Sequence, residues 1–349
     1  MQIGIDSFVT TSLPQAEWGT KGDVQRVGEL LEEIELADRI GLDVFGIGEH
    51  HRPEFIASAP AVLLAAAAAR TTTIRLASAV NVLSSDDPIR LFQQFATVDL
   101  ISGGRAEIVV GRGSFVESYP LFGLDLRDYD TLFAEKLDLL LKVRESVHIH
   151  WSGEHRPPLN GEGVYPRPVQ QPLPVWIGVG GTPESFARAG RLGLPLAVAI
   201  IGGEARRFRP LVDLYRKAGQ SAGHAPEQLT VGLHSIGYVA DTTEKAAEEF
   251  WPSYSDTFTR IGRERGWPPT TRAQYNAVRS PAGALLLGSP EAVAEKILRE
   301  SQELGGISRV SLAINGGNLL PHAQVLRCIE LLGTRVAPII RAEMPNTQG

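Results

Sequence analysis

The stretch that decides the fold is residues 43–51, which read DVFGIGEHH. Its first half is a short, continuous hydrophobic segment, which is typical of a buried parallel β-strand. The segment ends abruptly in one carboxylate and two histidines, and a proline two residues later turns the chain away. Ligands of parallel α/β folds bind at the carboxyl ends of the strands. We therefore interpret Glu49, His50 and His51 as candidates for chemistry rather than for packing.

The same combination of strand and helix repeats along the chain. An amphipathic helix precedes the strand, since apolar residues recur at spacings of three and four between Val24 and Ile40. Short apolar strands then alternate with helices, which indicates a parallel sheet with right-handed crossovers. Eight strands in one unbroken series favour a closed (β/α)8 TIM barrel. The predicted strands are residues 2–8, 43–48, 74–80, 106–110, 175–179, 194–201, 229–240 and 309–314.

A doubly wound open sheet is the alternative fold. It would be expected to carry the dinucleotide-binding pattern G-x-G-x-x-G, but Gly178 and Gly180 are followed by Pro183 where the third glycine should stand. The barrel is therefore the favoured prediction, as a single domain over residues 1–349.

Two insertions rich in proline, glycine and polar residues interrupt the series, at about residues 148–174 and 266–287. They follow the fourth strand region and precede the eighth strand, where they could form walls or lids over the barrel mouth. Arg272, Tyr275 and Arg279 of the second insertion could contact a substrate, or could equally belong to a solvated loop.

Composition narrows the class of protein. A formal net charge of −6 without a basic stripe or tail argues against a nucleic-acid or anionic-membrane partner. Cys328 is the only cysteine, so no intrachain disulfide can form and a reducing, cytoplasmic location is expected. The first residues lack a signal-peptide pattern, and the longest uncharged apolar run, residues 61–69, is too short to span a bilayer.

Other predicted strands also end in polar side chains. Asn81 follows the third strand, Arg112 follows the fourth between two glycines, and residues 315–317 (NGG) follow the eighth. In a barrel these positions converge on one rim. Adjacent neutral histidines at that rim suit general acid–base work, although one could pack while the other caps a carbonyl.

Zinc ligation by His50, His51 and Glu54 is a competing interpretation, since zinc accepts nitrogen and oxygen ligands. The helical motif H-E-x-x-H is absent, however, and Pro53 breaks any helix that would align the ligands. We therefore predict that the protein holds no metal.

Residues 180–185 (GGTPES) predict an anion site at a helix start. Thr182 is expected at the N-cap and Pro183 at the first helical position. The glycines let a ligand approach the backbone, and the helix start presents unpaired N–H groups. Thr182 and Ser185 add hydroxyl donors, and Arg112 could pair with the same phosphate in a bidentate manner. An ordinary capped helix explains the turn alone, but together with Arg112 a phosphate site is favoured.

Taken in order, these motifs resemble those of the bacterial luciferase-like flavin-dependent monooxygenases. The most specific parts are Glu49–His51 and the block 74–113, which contains IRLASAVNVL, DPIR, DLISGGR and VGRG. A Pro-x-x-P region before the diglycine turn (166–182) and the helix start GSPE (288–291) also match. The resemblance covers nearly the whole chain and implies the (β/α)8 barrel.

The resemblance implies an FMN-dependent homodimer that uses reduced flavin and O2 to oxidise a small-molecule substrate, with the reduced flavin supplied by a separate reductase. It makes His50 the acid–base residue near the flavin C4a position, oriented by His51 and Glu49. It also implies a non-proline cis peptide between Ala79 and Val80 beneath the isoalloxazine ring. The implied cofactor-binding residues are Ala79, Val80, Asn81, Arg112, Gly113, Gly180, Gly181, Thr182, Ser185, Ala199 and Ile200. Among them, Asn81 would face the ring, and Ala199 and Ile200 would line its pyrimidine edge. The phosphate would be held by Arg112, Gly181, Thr182 and Ser185.

Two alternatives stay open: a deazaflavin-dependent oxidoreductase that transfers hydride without oxygen, and a flavin-binding protein without catalysis. The triplet Glu49–His51 and the phosphate turn favour FMN, and the intact titratable groups argue against a non-catalytic protein. Gly111 stands where the light-emitting enzyme has a cysteine, and small residues replace its aromatic pair after the sixth strand. These differences argue against bioluminescence.

Overall fold

The computed structural model describes residues 1–11, 21–113, 115–314 and 319–344. Within them, eight parallel strands form a closed barrel, in which each strand pairs with the next and the eighth pairs with the first. The predicted TIM barrel is thereby confirmed. The barrel strands are β1 (Gln2–Ser7), β2 (Val44–Ile47), β3 (Arg75–Ser78), β4 (Ala106–Gly111), β5 (Val175–Val179), β6 (Leu196–Ala199), β7 (Val231–Val239) and β8 (Arg309–Ala313).

Helices connect the strands in the described part of the chain. They are α1 (Lys21–Arg39), α2 (Pro60–Ala68), α3 (Pro88–Ser102), α4 (Ser118–Leu121), α5 (Tyr129–Glu145), α6 (Pro183–Arg191), α7 (Arg209–Ser221), α8 (Thr243–Glu264), α9 (Arg272–Val278), α10 (Pro290–Glu303), α11 (His322–Leu331) and α12 (Ala337–Glu343). The last two are separated by a π-helical turn at Leu332–Val336.

Four short strand segments of the described residues lie outside the barrel order. Asn81–Val82 pairs with the end of β4, and Leu286–Gly288 pairs with the end of β7. His148–Trp151 and Leu159–Gly163 form an antiparallel hairpin within the first predicted insertion. The second insertion contains α9 and therefore has regular structure of its own.

Side chains along each strand alternate between the helices and the barrel axis. In β2, Phe45 and Ile47 are completely buried in the core between strands and helices. Their neighbour Val44 belongs to a separate small cluster with Trp176 inside the barrel. Toward the carboxyl ends of β2 to β6, most inward positions carry glycine or alanine, so the interior widens into a cavity there.

An ion cluster closes the opposite, amino-terminal end of the barrel. The buried Glu107 carboxylate accepts hydrogen bonds from Arg309, with a shortest distance of 2.6 Å, and from Arg75. The Arg309 guanidinium also lies over the Trp176 ring, 4.3 Å from its centroid. Burial alone would raise the pKa of Glu107, but the two guanidinium groups outweigh burial and hold the pKa below its ordinary value.

Glu107→Gln should lower the free energy of unfolding at neutral pH by about 3–5 kcal/mol, because two guanidinium groups lose their buried carboxylate. Urea denaturation measures this change. Since the pKa of Glu107 is lowered in the fold, its contribution is present at neutral pH and is lost as the pH falls through the folded-state pKa.

The matched control is Glu291→Gln, because Glu291 pairs with Arg335 at 2.6 Å on the exposed surface. It should leave the unfolding midpoint unchanged. Equal midpoints for Glu107→Gln and the wild type would contradict a stabilising role for the cluster.

Candidate active site

A cavity of about 640 Å³ lies at the carboxyl end of the barrel. Small inward-facing residues line its depth, and loops after the strands line its mouth. This is the position at which TIM barrels carry their active sites. The sequence-predicted residues that line it are Glu49, His50, Ala79, Val80, Arg112, Gly113, Gly180, Gly181, Thr182, Ser185 and Ala199.

The shape of the cavity depends on where the chain leaves β3. The peptide bond between Ala79 and Val80 is cis, as the resemblance implied, and the Val80 side chain points into the barrel. A Cβ atom at Gly111 or at Gly178 would lie 2.8 Å from Val80. The backbone pairing of β3 with β4 ends at Ala77 and Glu107. Beyond it, the Ser78 hydroxyl links the two strands, because it accepts from the Val109 N–H and donates to the Val109 carbonyl. A cysteine at 111 would therefore require Val80 to move.

Glu49 organises the polar side of the second strand's end. One of its oxygens contacts His51 Nε2 at 2.7 Å, and the other accepts from Asn81 Nδ2 at 2.9 Å and from the Val82 N–H at 3.0 Å. Among these residues, Glu49 lines the cavity, whereas His51 and Asn81 do not. The amide nitrogen of Asn81 is thus engaged by the carboxylate, and a position of Asn81 facing a bound ring stays a prediction.

His50 projects on the opposite side of the chain, into an aromatic surround. Its ring centroid lies 4.3 Å from that of Phe55, 4.8 Å from Phe8 and 5.5 Å from Phe115. Its Nε2 atom is buried and has no hydrogen-bond partner among the described residues. Burial lowers the pKa of His50 to about 4, so the imidazole is neutral at physiological pH.

The predicted phosphate residues come together at the ends of β4 and β5. Arg112 Nη2 donates to Ser185 Oγ at 3.2 Å and to Thr182 Oγ1 at 3.3 Å. Thr182 occupies the N-cap position of α6, but its hydroxyl makes no capping hydrogen bond there. Both hydroxyls therefore lie beside a guanidinium at the start of α6, where Pro183 has no N–H and the Ser185 N–H donates to the Thr182 carbonyl at 3.0 Å.

The sequence did not indicate that Arg112 also has a carboxylate partner. Its Nη1 donates to Asp130 Oδ1 at 2.5 Å, and its guanidinium lies 5.0 Å from the Tyr129 ring centroid. Asp130 is largely exposed. These contacts hold the guanidinium in place, and an anion at the cluster would share Arg112 with Asp130.

The two residues predicted at the end of β6 lie on opposite faces of the chain. Ala199 lines the cavity, but Ile200 is buried in the core between the barrel and the helices. Ile201 lines the cavity in its place. The reason is the two-residue period of an extended chain, which sends neighbouring side chains to opposite faces.

The two insertions, residues 148–174 and 266–287, supply none of the cavity lining among the described residues, and a role as walls or lids over the barrel mouth stays a prediction. Tyr275 is instead buried against Trp251 and Tyr254 of α8, and its hydroxyl donates to the Ala247 carbonyl at 3.1 Å. Arg272 and Arg279 both lie beside the Tyr275 ring, away from the cavity. The C-terminal end of α8 does line the cavity, through Thr257, Phe258, Arg260, Ile261 and the following Arg265.

Arg52, in the loop after β2, connects that loop to the C-terminal end of α8. Its guanidinium donates to Glu54 at 3.0 Å, to Glu117 at 2.6 Å and to Glu264 at the end of α8 at 3.0 Å. It also lies 4.6 Å from the centroid of the Phe115 ring. Three segments far apart in sequence are thus joined at the cavity mouth. Sequence motifs could not indicate this contact, because motifs contain only residues that are close along the chain.

A second histidine in the cavity was also missed. His234 of β7 contacts Asp6 of β1 through Nδ1 and Oδ2, 2.5 Å apart, and both residues line the cavity. The sequence signal that could have indicated His234 is a titratable residue at an inward position of the otherwise largely apolar strand β7.

Some predictions lie beyond these observations. Residues 315–317, predicted at the rim, lie outside the described residues. In the ranges that are described, no group of three or more potential ligands is arranged to hold a metal, and the absence of a metal stays a prediction. No described helix combines the length and apolar character needed to cross a membrane.

The sequence model of the luciferase-like monooxygenase family matches residues 6–307. The chain therefore belongs to that family of oxidoreductases.

Two relatives illustrate the range of similarity. The 4-hydroxyprotoasukamycin monooxygenase of Streptomyces nodosus subsp. asukaensis is 24% identical over 88% of this chain and 85% of its own length. The oxygenase component of the flavin-dependent trigonelline monooxygenase of Acinetobacter baylyi is 30% identical over 44% of this chain and 43% of its own.

Solved structures share the fold. Monooxygenase RslO1 of Streptomyces bottropensis superimposes with a TM-score of 0.83 at 22% identity, over 97% of this chain and 99% of that one. The oxygenating constituent of 3,6-diketocamphane monooxygenase of Pseudomonas putida, solved with FMN, gives 0.78 at 19% identity, over 97% and 98%. The coenzyme F420-dependent tetrahydromethanopterin reductase of Methanopyrus kandleri gives 0.71 at 19% identity, also over 97% and 98%.

The buried, neutral state of His50 leads to a testable pH dependence. An NMR titration, with the His50 signal assigned by its loss in His50→Ala, should show a midpoint near 4 rather than near the ordinary value of about 6.5. Between these two values the unfolded chain binds the proton and the folded chain does not, so His50 makes the fold less stable as the pH falls through that window. A midpoint at or above 6.5 would contradict the buried, neutral assignment.

Proposed function

We propose that this protein is an FMN-dependent monooxygenase that uses reduced flavin and O2 to oxidise a small organic molecule. The observation that carries the proposal is the cluster of Arg112, Thr182 and Ser185 at the rim of the same cavity that holds the buried His50. This cluster can bind a phosphate group, and the neutral His50 can exchange a proton in the same cavity. Together they suit a redox cofactor that carries a phosphate. We further propose that a separate reductase supplies the reduced flavin and that the enzyme is a cytoplasmic homodimer.

The residues of the cavity fit FMN on several grounds. Arg112 and the hydroxyls of Thr182 and Ser185, at the start of α6, can hold a phosphate monoester. Deeper in the barrel, Gly111, Gly178 and Gly180 leave backbone exposed to the cavity, where a flat ring can approach it closely. Val80 and Ala79 supply an apolar surface on the same side.

Bound FMN would supply the electron transfer and the reaction with oxygen. The protein's part is to exclude water and to place one proton. Phe8, Phe55 and Phe115 surround His50 and keep the site apolar. His50 Nε2 is unpartnered and neutral, so it can take up a proton from a reacting group and return it. Glu49 anchors the chain immediately before His50 through Asn81 and the Val82 N–H.

Hydride transfer with deazaflavin F420 is the second candidate function. It is favoured by the likeness in fold to the F420-dependent reductase, and by an F420-dependent glucose-6-phosphate dehydrogenase of Amycolatopsis mediterranei that is 28% identical over 50% of this chain and 55% of its own. The residues Glu49–His51 and the compact phosphate cluster support FMN as our first proposal.

Arg112→Ala should weaken binding of oxidised FMN by about tenfold or more, because a phosphate loses a charge-assisted partner. Binding of riboflavin, which lacks the phosphate, should change far less. Fluorescence quenching of each flavin on titration with protein measures both affinities.

Arg127→Ala is the matched control, since Arg127 is exposed, pairs with Asp125 and does not line the cavity. It should leave both affinities unchanged. Equal losses for FMN and riboflavin in Arg112→Ala would remove Arg112 from the phosphate site.

A further inference from the structure

The pair Asp6 and His234 is a built feature of the barrel interior that the proposed redox chemistry does not require. The two side chains come from β1 and β7, which flank β8, and they meet in front of it. In strand register, Asp6 lies beside Ala313 and His234 lies beside Ser311, so small β8 side chains leave room for the pair.

The neighbouring strand also makes room for the pair. A Cβ atom at Gly46 of β2 would lie only 2.2 Å from Asp6 Oδ1. The carboxylate therefore occupies space that only a glycine leaves open. Both side chains are mostly buried, and they remain accessible through the cavity that they line.

The hydrogen bond between the pair decides which ring atom faces a ligand. Asp6 engages Nδ1 of His234, while Nε2 has no hydrogen-bond partner among the described residues. A carboxylate on Nδ1 fixes the neutral tautomer with its proton there and leaves Nε2 as a proton acceptor. The same carboxylate stabilises the imidazolium that forms if Nε2 accepts a proton.

The pair of Asp6 and His234 lies across the barrel from the proposed phosphate-binding cluster. In a closed barrel of eight strands, β8 faces β4 and β1 faces β5. Arg112, Thr182 and Ser185 follow β4 and β5. A cofactor anchored at that cluster thus leaves the wall formed by β7, β8 and β1 for the substrate.

The rest of the cavity is largely apolar and aromatic. Phe8, Phe55, Phe115 and Phe258 all line it, and the Phe8 ring centroid lies 6.1 Å from that of His234. A ligand that fits this lining is an aromatic molecule with one acidic group directed at His234. A phenol meets both conditions, because its hydroxyl is acidic enough to share a proton with imidazole, whereas an aliphatic alcohol is not.

We propose that His234, positioned by Asp6, binds and deprotonates the hydroxyl of a phenolic substrate. In this step the substrate O–H bond breaks, the electron pair stays on the oxygen and the proton passes to His234 Nε2. The products are a phenolate and an imidazolium beside the Asp6 carboxylate, and no oxidant is consumed. The role of the phenol as the molecule to be oxidised rests on the proposed monooxygenase function.

The test is a spectroscopic titration with 4-nitrophenol, whose phenolate and phenol forms absorb at different wavelengths. The enzyme is first loaded with oxidised FMN, and the pH is held below the pKa of the free probe. Bound 4-nitrophenol should show the phenolate spectrum on the wild type. Nitrobenzene, which lacks the hydroxyl, measures binding to the apolar lining alone.

His234→Gln should abolish the phenolate spectrum and weaken 4-nitrophenol by about tenfold, while nitrobenzene binding stays the same. Asp6→Asn should shift bound 4-nitrophenol toward the neutral form, because the ring loses its negative partner. His224→Gln is the matched control, since His224 lies on the surface with Nε2 2.9 Å from the Arg191 carbonyl oxygen. It should behave as the wild type, and circular dichroism confirms that each variant is folded.

Two outcomes would overturn the proposal. The first is a bound probe with the same spectrum and affinity in the wild type and in folded His234→Gln. The second is a tenfold loss of FMN affinity in His234→Gln with unchanged probe ionisation, which would place His234 on the cofactor. If the wild type binds no FMN, the proposed function fails, and the same titration of the flavin-free protein still decides whether His234 ionises a phenol.

Discussion

The site depends on the entry of Val80 into the barrel, which is possible only because β4 and β5 carry glycine at facing positions. Gly111 and Gly178 have no side chain that would meet Val80 at 2.8 Å. The displaced chain then pairs with the end of β4 and brings the Asn81 amide and the Val82 N–H to Glu49. The anchored carboxylate takes His51 as its partner and leaves His50 to the cavity.

The barrel separates two kinds of polar structure. At the amino-terminal end, Glu107 and its arginines form a closed ion cluster that serves stability. At the carboxyl end, His50 Nε2 is buried without a partner among the described residues, and His234 lines the same cavity with its Nδ1 on Asp6. Buried polar atoms without partners are costly in a purely structural role, and so they point to ligands. Our account assigns one histidine to the redox centre and the other to the substrate.

Much of the fold and part of the site could be predicted from sequence, because both depend on local patterns. Strand periodicity identified the barrel, and the helix start at Thr182 together with Arg112 identified the rim cluster that the structure brings together. What the sequence leaves undetermined has two causes. A shift of one residue reverses the face of a side chain, which is why the cavity receives Ile201 and the core receives Ile200. Pairings between distant segments leave no motif, which is why the roles of Asn81 and His234 became visible only in the folded chain.

The central claim is that the cavity binds FMN as its redox cofactor. The most direct measurement is a fluorescence titration of the purified protein with FMN and with deazaflavin F420, each in the oxidised and the reduced form. The account predicts tight binding of reduced FMN and little binding of F420 in either form. Preferential binding of F420 would contradict it and would assign the barrel to hydride transfer without oxygen.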